Sequence, residues 1–177
     1  MNAAPLLKTI KNFYTKMNRL FKMTSSSGLI ILLDLDNFGQ IMEDQAWTRY
    51  SPNDITGKMT DLIEDFVSQH FATILWGLNR KEGTEECMLL ISIPFEESES
   101  VLRDLDDLRL IIENEGKKTK TGATLSIGIA AGTLIDYKPA ASRKKHHLYN
   151  TPLRRLAKRA LEDAKKRGGN QLVIHHL

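Results

Sequence analysis

The segment Leu29-Ile30-Ile31-Leu32-Leu33-Asp34-Leu35-Asp36-Asn37-Phe38-Gly39 constrains the fold more than any other part of the chain. An almost unbroken apolar run ends in two aspartates separated by a single residue. A run this hydrophobic reads as a strand buried on both faces. Side-chain alternation then puts Asp34 and Asp36 on one side, at the strand's end. Carboxylates carried by a buried strand to its exposed rim are natural ligands for a hard divalent cation. A second acidic pair, Glu85-Glu86, follows Gly83-Thr84 and precedes another apolar run, Cys87 to Ile93. Two acidic strand ends, distant in sequence, are expected to converge on one metal–phosphate centre.

The elements around these strands follow from periodicity. Leu6, Leu7, Ile10, Phe13, Tyr14, Met17, Leu20 and Phe21 recur at helical spacing, interleaved with Lys8, Lys11, Lys16, Arg19 and Lys22. This predicts a basic amphipathic helix that packs on the domain or on a second subunit, with membrane-surface binding as the alternative, separated from the first strand by the small residues 24–28. Residues 1–27 are therefore set apart from a main domain over 28–177. Ser51-Pro52-Asn53-Asp54 has the composition of a helix start, followed by the stripe Met59, Leu62, Ile63, Phe66, Val67 and His70. Phe71 to Leu78 and Cys87 to Ile93 are predicted as a hairpin around the polar turn 79–83. A second helix is marked by Val101, Leu102, Leu105, Leu108, Ile111 and Ile112. In the strand expected over 121–132, Ser126, Gly128 and Ala130 make one face small enough for close packing or ligand approach. The polar stretch from Leu134 to Tyr149, with the run Arg143-Lys144-Lys145-His146-His147, has no period and reads as a loop. Thr151-Pro152 caps a last helix, Gly168-Gly169 ends it, and a short strand closes the chain.

Without the N-terminal helix the order is βαββαβ followed by αβ. The expected fold class is therefore α+β: a ferredoxin-like βαββαβ unit with an additional C-terminal αβ and the N-terminal amphipathic helix. In that topology the end of the first strand lies beside the hairpin joining the second and third. Asp34, Asp36, Glu85 and Glu86 should then be neighbours.

Composition excludes several classes. With 41% apolar and 27% charged residues, the 177-residue chain has enough length for one domain with a real core. A net charge of only +3 gives no reason to expect nucleic acid as a partner. The single cysteine, Cys87, excludes an intramolecular disulfide and a cysteine-rich zinc site. No apolar run approaches the ~20 residues a membrane span needs, and the N-terminus lacks the continuous apolar core of a secretory signal. No membrane insertion and a cytoplasmic location are expected.

The arrangement resembles the palm domain shared by polymerases and nucleotidyl cyclases, particularly its GGDEF-related branch. The resemblance covers roughly Leu29 to Ile174. Leu32-Leu33-Asp34-Leu35-Asp36-Asn37-Phe38 is similar to the family's first metal motif, and Gly83-Thr84-Glu85-Glu86-Cys87 stands where its signature hairpin falls. Thr124-Leu125-Ser126-Ile127-Gly128-Ile129-Ala130 resembles the strand after the second helix. Ala160-Leu161, Ala164-Lys165, Gly168 and Asn170 resemble the closing helix–glycine–asparagine–strand pattern.

The resemblance implies Mg²⁺ or Mn²⁺ as cofactor, held by Asp34, the Leu35 carbonyl, Asp36 and Glu85. Glu86 would be a catalytic neighbour of these acids. Nucleotide contacts would come from Asn37, Phe38, Gly39, Asp54, Gly83, Thr84 and Lys165, with Lys165 on the phosphates. The expected partners are nucleoside triphosphates and a second copy of the chain, because one palm presents only half of a two-nucleotide reaction. Departures are also evident. Gly39 stands in place of a phosphate-binding lysine, Met42 of a guanine-reading asparagine, Thr84 of the hairpin's second glycine and Gly169 of a phosphate-binding arginine. Asp54 takes the place of a guanine-reading aspartate only if a small insertion is allowed. The Asp34-x-Asp36-Asn37-x-Gly39 pattern is similar to the palms of type III CRISPR complexes and minimal CRISPR polymerases. Archaeal GTP cyclohydrolase of type III is similar in Asp36-Asn37-Phe38-Gly39, in the segment Tyr50-Ser51-Pro52-Asn53 and in Ala131-Gly132-Thr133. The expected function is thus a magnesium-dependent cyclase making a cyclic di- or oligonucleotide. The alternatives are guanine ring opening and a degenerate palm that binds nucleotide and regulates a partner.

Overall fold

The computed structural model describes residues 27–47, 51–134 and 148–177. The expected N-terminal helix, Tyr50 and the basic run 143–147 lie outside the described residues. The first strand, β1 (Ser27–Leu35), is followed by a short helix α1 (Phe38–Asp44) and by α2 (Asp54–His70). Next come β2 (Thr73–Trp76), β3 (Glu86–Ile91), a 3-10 turn over Phe95–Glu97 and α3 (Glu99–Lys118). The chain closes with β4 (Leu125–Thr133), α4 (Pro152–Lys166) and β5 (Leu172–His176).

The five strands form one sheet in the order β2-β3-β1-β4-β5, with β1 antiparallel to both β3 and β4 and β5 parallel to β4. This is the βαββαβ order read from the sequence, extended at one edge by the C-terminal αβ. β1 is central and buried on both faces, as its composition requires. Leu29, Ile31 and Leu33 join Cys87, Leu89, Ile127 and Ile129 in a core covered by α1, α2 and α3. Ile30 and Leu32 join Met88, Leu90 and Ala130 in a second core covered by α4 through Leu153, Ala157 and Leu161. Burial on the first side pushes the Cys87 thiol up to about 12, so it remains protonated and inert.

Local signals explain where the elements begin. Asn53 caps α2 by accepting from the backbone N–H groups of Ile55 and Thr56, while Thr56 Oγ1 accepts from Asn53 N in return. Thr151 caps α4, with Pro152 in the first turn. The small face of β4 is used for close packing. A Cβ on Gly128 would lie 2.3 Å from Leu161 N and 2.5 Å from Ala157 O, so only glycine lets α4 approach the sheet this closely.

The structure differs from the sequence reading at several points: β3 ends at Ile91 rather than Ile93, and β4 runs over Leu125–Thr133 rather than 121–132. Phe71 is not in a strand but caps the end of α2 with φ 49°, leaving its ring exposed. β2 ends at Trp76 because Gly77, at φ +99°, runs against the Glu86 carbonyl, where a Cβ would lie 2.1 Å away. α1 was not expected: Phe38, Ile41 and Met42 are its only buried side chains, too few to show a helical period.

Gly128→Ala should cost about 3 kcal/mol in urea unfolding, because the clash is with backbone that cannot rotate away. Native protein at pH 8 should react with a thiol-directed disulfide reagent at least ~100-fold more slowly than denatured protein, since Cys87 is buried as the neutral thiol.

Candidate active site

The acidic edge is assembled by register. Asp34 pairs with Glu86 across β1 and β3, so both side chains stand on the face that α4 covers. Just beyond, the Leu35 N–H donates to the Glu85 carbonyl at 3.0 Å and ties the end of β1 to the acidic turn. Asp34, Leu35, Glu85 and Glu86 therefore share one end of the sheet. Glu85 is exposed, Glu86 half-buried, and both line an open groove of about 310 Å³ with Trp76, Gly77, Asn79 and Gly83.

The turn before β3 is fixed from below. Thr84 is fully buried; its hydroxyl accepts from Thr60 Oγ1 at 2.9 Å and from Asn79 N at 3.1 Å. Its N–H donates to Thr60 Oγ1 and to the Thr56 carbonyl. Gly83, at φ +85°, lies so close to α2 that a Cβ would sit 2.1 Å from Thr56 Oγ1. The turn is thus bolted to the first two turns of α2. The side chain of Thr84, expected as a nucleotide contact, faces α2 rather than the groove.

The two aspartates of β1 have different surroundings. Asp36 Oδ2 accepts from Thr124 Oγ1 and from the Asn170 N–H, both at 2.9 Å, and Oδ1 accepts from Ser126 Oγ at 2.7 Å. With 8% of its surface exposed and three protein donors on two oxygens, Asp36 fastens β1 to β4 and to the α4–β5 loop. Asp36 is expected as a metal ligand beside Asp34; here both of its oxygens accept from protein donors. Asp34 instead accepts from Lys165 Nζ of α4 at 2.7 Å, with side-chain exposures of 25% and 38%. A pair that exposed contributes about 1 kcal/mol or less, so a divalent cation or a phosphate can exchange with either partner.

The remaining expected contacts are dispersed. Phe38 is buried in the core and tilted against Trp47 at 6.4 Å, so only its backbone can serve a ligand. Asn37, at φ 51°, is exposed, and a Cβ on Gly39 would meet nothing within 4 Å. Asp54 opens α2 and lines a different groove, also about 310 Å³, with Trp47, Ser51 and Asn53. Met42 is buried, and its Sδ accepts from Asn53 Nδ2 at 3.7 Å. Gly169, at φ +75°, passes so near Asp36 that a Cβ would lie 2.9 Å from its carboxylate, a physical reason for glycine there.

Sequence reasoning missed Tyr149, assigned to a loop without period. Its hydroxyl donates to Glu86 Oε1 at 3.5 Å. Burial, reinforced by the charges of Glu86 and Asp34, pushes its phenol above the ordinary tyrosine range. Thr124, Ser126 and Asn170 all fall within the motifs that carry the family resemblance, but no local signal pairs them with Asp36.

The donor set at the edge, carboxylates with a backbone carbonyl, consists of hard oxygens and suits Mg²⁺ or Mn²⁺. Among the described residues no three acidic, histidine or cysteine side chains already surround a common point. Asp34 and Glu85 lie at the same end of the sheet and are of the ligand type such an ion takes. Among the same residues no helix is long and apolar enough to cross a membrane.

No protein-family model matches the sequence, and none of the curated proteins matches it. Solved structures do. The GGDEF domain of DgcB from Caulobacter crescentus, in complex with c-di-GMP, matches with a TM-score of 0.56 at 17% identity, over 93% of this chain and 88% of that one. The diguanylate cyclase SiaD from Pseudomonas aeruginosa, in complex with its activator SiaC, matches with a TM-score of 0.53 at 16% identity, over 95% of this chain and 57% of that one. The chain has the α+β palm fold of GGDEF cyclase domains.

Asp36→Ala should lower unfolding stability by about 3 kcal/mol, because it strands donors on β4 and the α4–β5 loop. Asp34→Ala should cost less than about 1 kcal/mol in the same urea titration.

Proposed function

We propose that the chain is a nucleotidyl cyclase: it joins a ribose hydroxyl to the α-phosphorus of a nucleoside triphosphate and releases pyrophosphate. The P–O bond to the leaving pyrophosphate breaks as the new phosphodiester forms, and the hydroxyl proton passes to a base at the site. The observation that carries this reading is the meeting of Asp34 and Glu86 in register, with Glu85 tied to Leu35 and Lys165 on Asp34.

Charge decides the division of labour. The transition state spreads negative charge over phosphoryl oxygens, so positioning and cationic stabilisation dominate. Asp34, the Leu35 carbonyl and Glu85 would hold Mg²⁺ or Mn²⁺. When bound, that ion supplies Lewis-acid stabilisation of the phosphoryl oxygens and activates the attacking oxygen. Lys165, released from Asp34, turns to the distal phosphates. Glu86 accepts the hydrogen bond of the attacking hydroxyl. Asp36 stays out of the reaction and keeps Asp34 at the edge. The guanine-reading amide is replaced by a buried thioether at Met42, which favours ATP or relaxed base choice over strict use of GTP. Two nucleotides joined head to tail need two acidic edges, so the working form is a homodimer or higher assembly.

The test is incubation of the protein with each radiolabelled triphosphate and Mg²⁺ or Mn²⁺, with products resolved by chromatography and mass. A phosphatase-resistant cyclic product with pyrophosphate is expected. Loss of guanine absorbance with a formyl-bearing pyrimidine would show ring opening instead, and nucleotide binding without turnover would show a regulatory palm. Asp34→Ala and Glu85→Ala should each lower kcat by about 10²–10³-fold while the circular dichroism spectrum stays unchanged. Full activity in both variants would refute the metal assignment.

A further inference from the structure

Asp34 and Glu86 stand opposite each other on neighbouring strands, an arrangement that is repulsive when both are ionised. Each carboxylate has a donor from the C-terminal part of the chain. Asp34 faces a cation, Lys165 Nζ, at 2.7 Å. Glu86 Oε1 accepts from the Tyr149 hydroxyl at 3.5 Å. An incoming phosphate can draw a cation away; it has no such pull on a phenol.

The segment around Tyr149 is built to hold that phenol. Leu148 is buried in the core that α4 covers, beside Leu153 and Ala157. Arg154, only 4% exposed, donates from Nη1 to the Leu148 carbonyl at 3.3 Å. Arg155 Nη1 reaches the Tyr149 carbonyl at 3.5 Å and the Asn150 carbonyl at 3.4 Å. Lys158 Nζ lies 4.9 Å from the centre of the Tyr149 ring, within cation–π range. The first two turns of α4 thus grip the backbone and one face of the ring, and the hydroxyl is left to Glu86.

We propose that Tyr149 is a positioning residue of the reaction: its hydroxyl donates to Glu86 and fixes that carboxylate toward the attacking ribose hydroxyl. The inference rests on the cyclase reading and adds to it a residue from outside every motif. At 3.5 Å the contact is long for an O–H···O bond, and such contacts tighten in the substrate complex. The raised phenol pKa, caused first by burial and then by the two carboxylates, keeps the donor proton in place. Without the hydroxyl, Glu86 keeps its charge but loses this donor at Oε1. The loss then falls on the chemical step rather than on substrate binding.

The experiment is Tyr149→Phe, which keeps the ring, its packing and the Lys158 contact and removes only the O–H. The expected result is a kcat about ten-fold lower, with KM for the triphosphate changed by less than about two-fold and the melting temperature unaltered. Glu86→Gln forms the second arm. If Tyr149 acts through Glu86, adding Tyr149→Phe to Glu86→Gln changes kcat by less than about two-fold. Unchanged kcat in Tyr149→Phe overturns the inference, as do effects of the two substitutions that multiply. Either result would leave the cyclase reading intact. Absence of turnover in the wild-type chain would instead refute that reading, and the inference with it.

Discussion

Three donors from two different parts of the chain meet on the carboxylate of Asp36, and the geometry of the edge depends on them. Ser126 and Thr124 reach it from β4 and the segment just before it; the Asn170 N–H reaches it from the loop after α4. The backbone repeats the connection, because the Asp36 N–H donates to the Thr124 carbonyl at 2.9 Å. A buried carboxylate without such donors would be costly, whereas one with three is a rigid joint. The joint continues outward: Arg109 of α3 donates from Nη1 to both the main-chain and side-chain oxygens of Asn170. Asn170 in turn helps hold the Glu113 carboxyl below the usual range. Helix α3, the α4–β5 loop and the end of β1 are thereby locked together.

That lock leaves the neighbouring aspartate at the edge of the sheet. Two residues earlier on the same strand, Asp34 accepts from the exposed Lys165 ammonium, in a contact weak enough to exchange. On the other side of the edge, Thr84 does for the hairpin what Asp36 does for β1. It is buried under the acidic turn, and its hydrogen bonds to Thr60 and Thr56 hold the turn that carries the exposed Glu85 and the half-buried Glu86. Each acidic motif therefore contains one polar residue that builds and at least one that is presented. Pre-organised edges of this kind suit chemistry in which positioning dominates.

Much of the scaffold was legible in the sequence because its signals are local. Caps at Asn53 and Thr151, the alternation of β4 and the doubly apolar β1 each follow from the residues themselves. The strand order needed only the rule that a βαββαβ unit places the end of β1 beside the hairpin, and it correctly joined Asp34 to Glu86. What was not legible depends on partners far away in the chain. Nothing near Asp36 announces that Ser126, 90 residues on, donates to it. Thr84 looks like a substituted glycine until Thr60 is seen above it. Tyr149 sits in an aperiodic polar stretch, and only its burial against α4 brings the hydroxyl to Glu86. Phe71 opens the run to Leu78 that reads as a strand, yet here it caps a helix in an exposed left-handed turn. Function signals placed the edge; tertiary hydrogen bonds decided which of its residues face outward.

The most direct test of this division is a crystal structure grown with Mn²⁺ and a non-hydrolysable nucleoside triphosphate, with anomalous scattering used to locate the ion. A peak within coordination distance of Asp34 is predicted, with Lys165 moved onto the phosphates and Asp36 still bound to Ser126, Thr124 and Asn170. A peak on Asp36, or a triphosphate complex in which Lys165 remains on Asp34 and no ion is bound, would contradict the account.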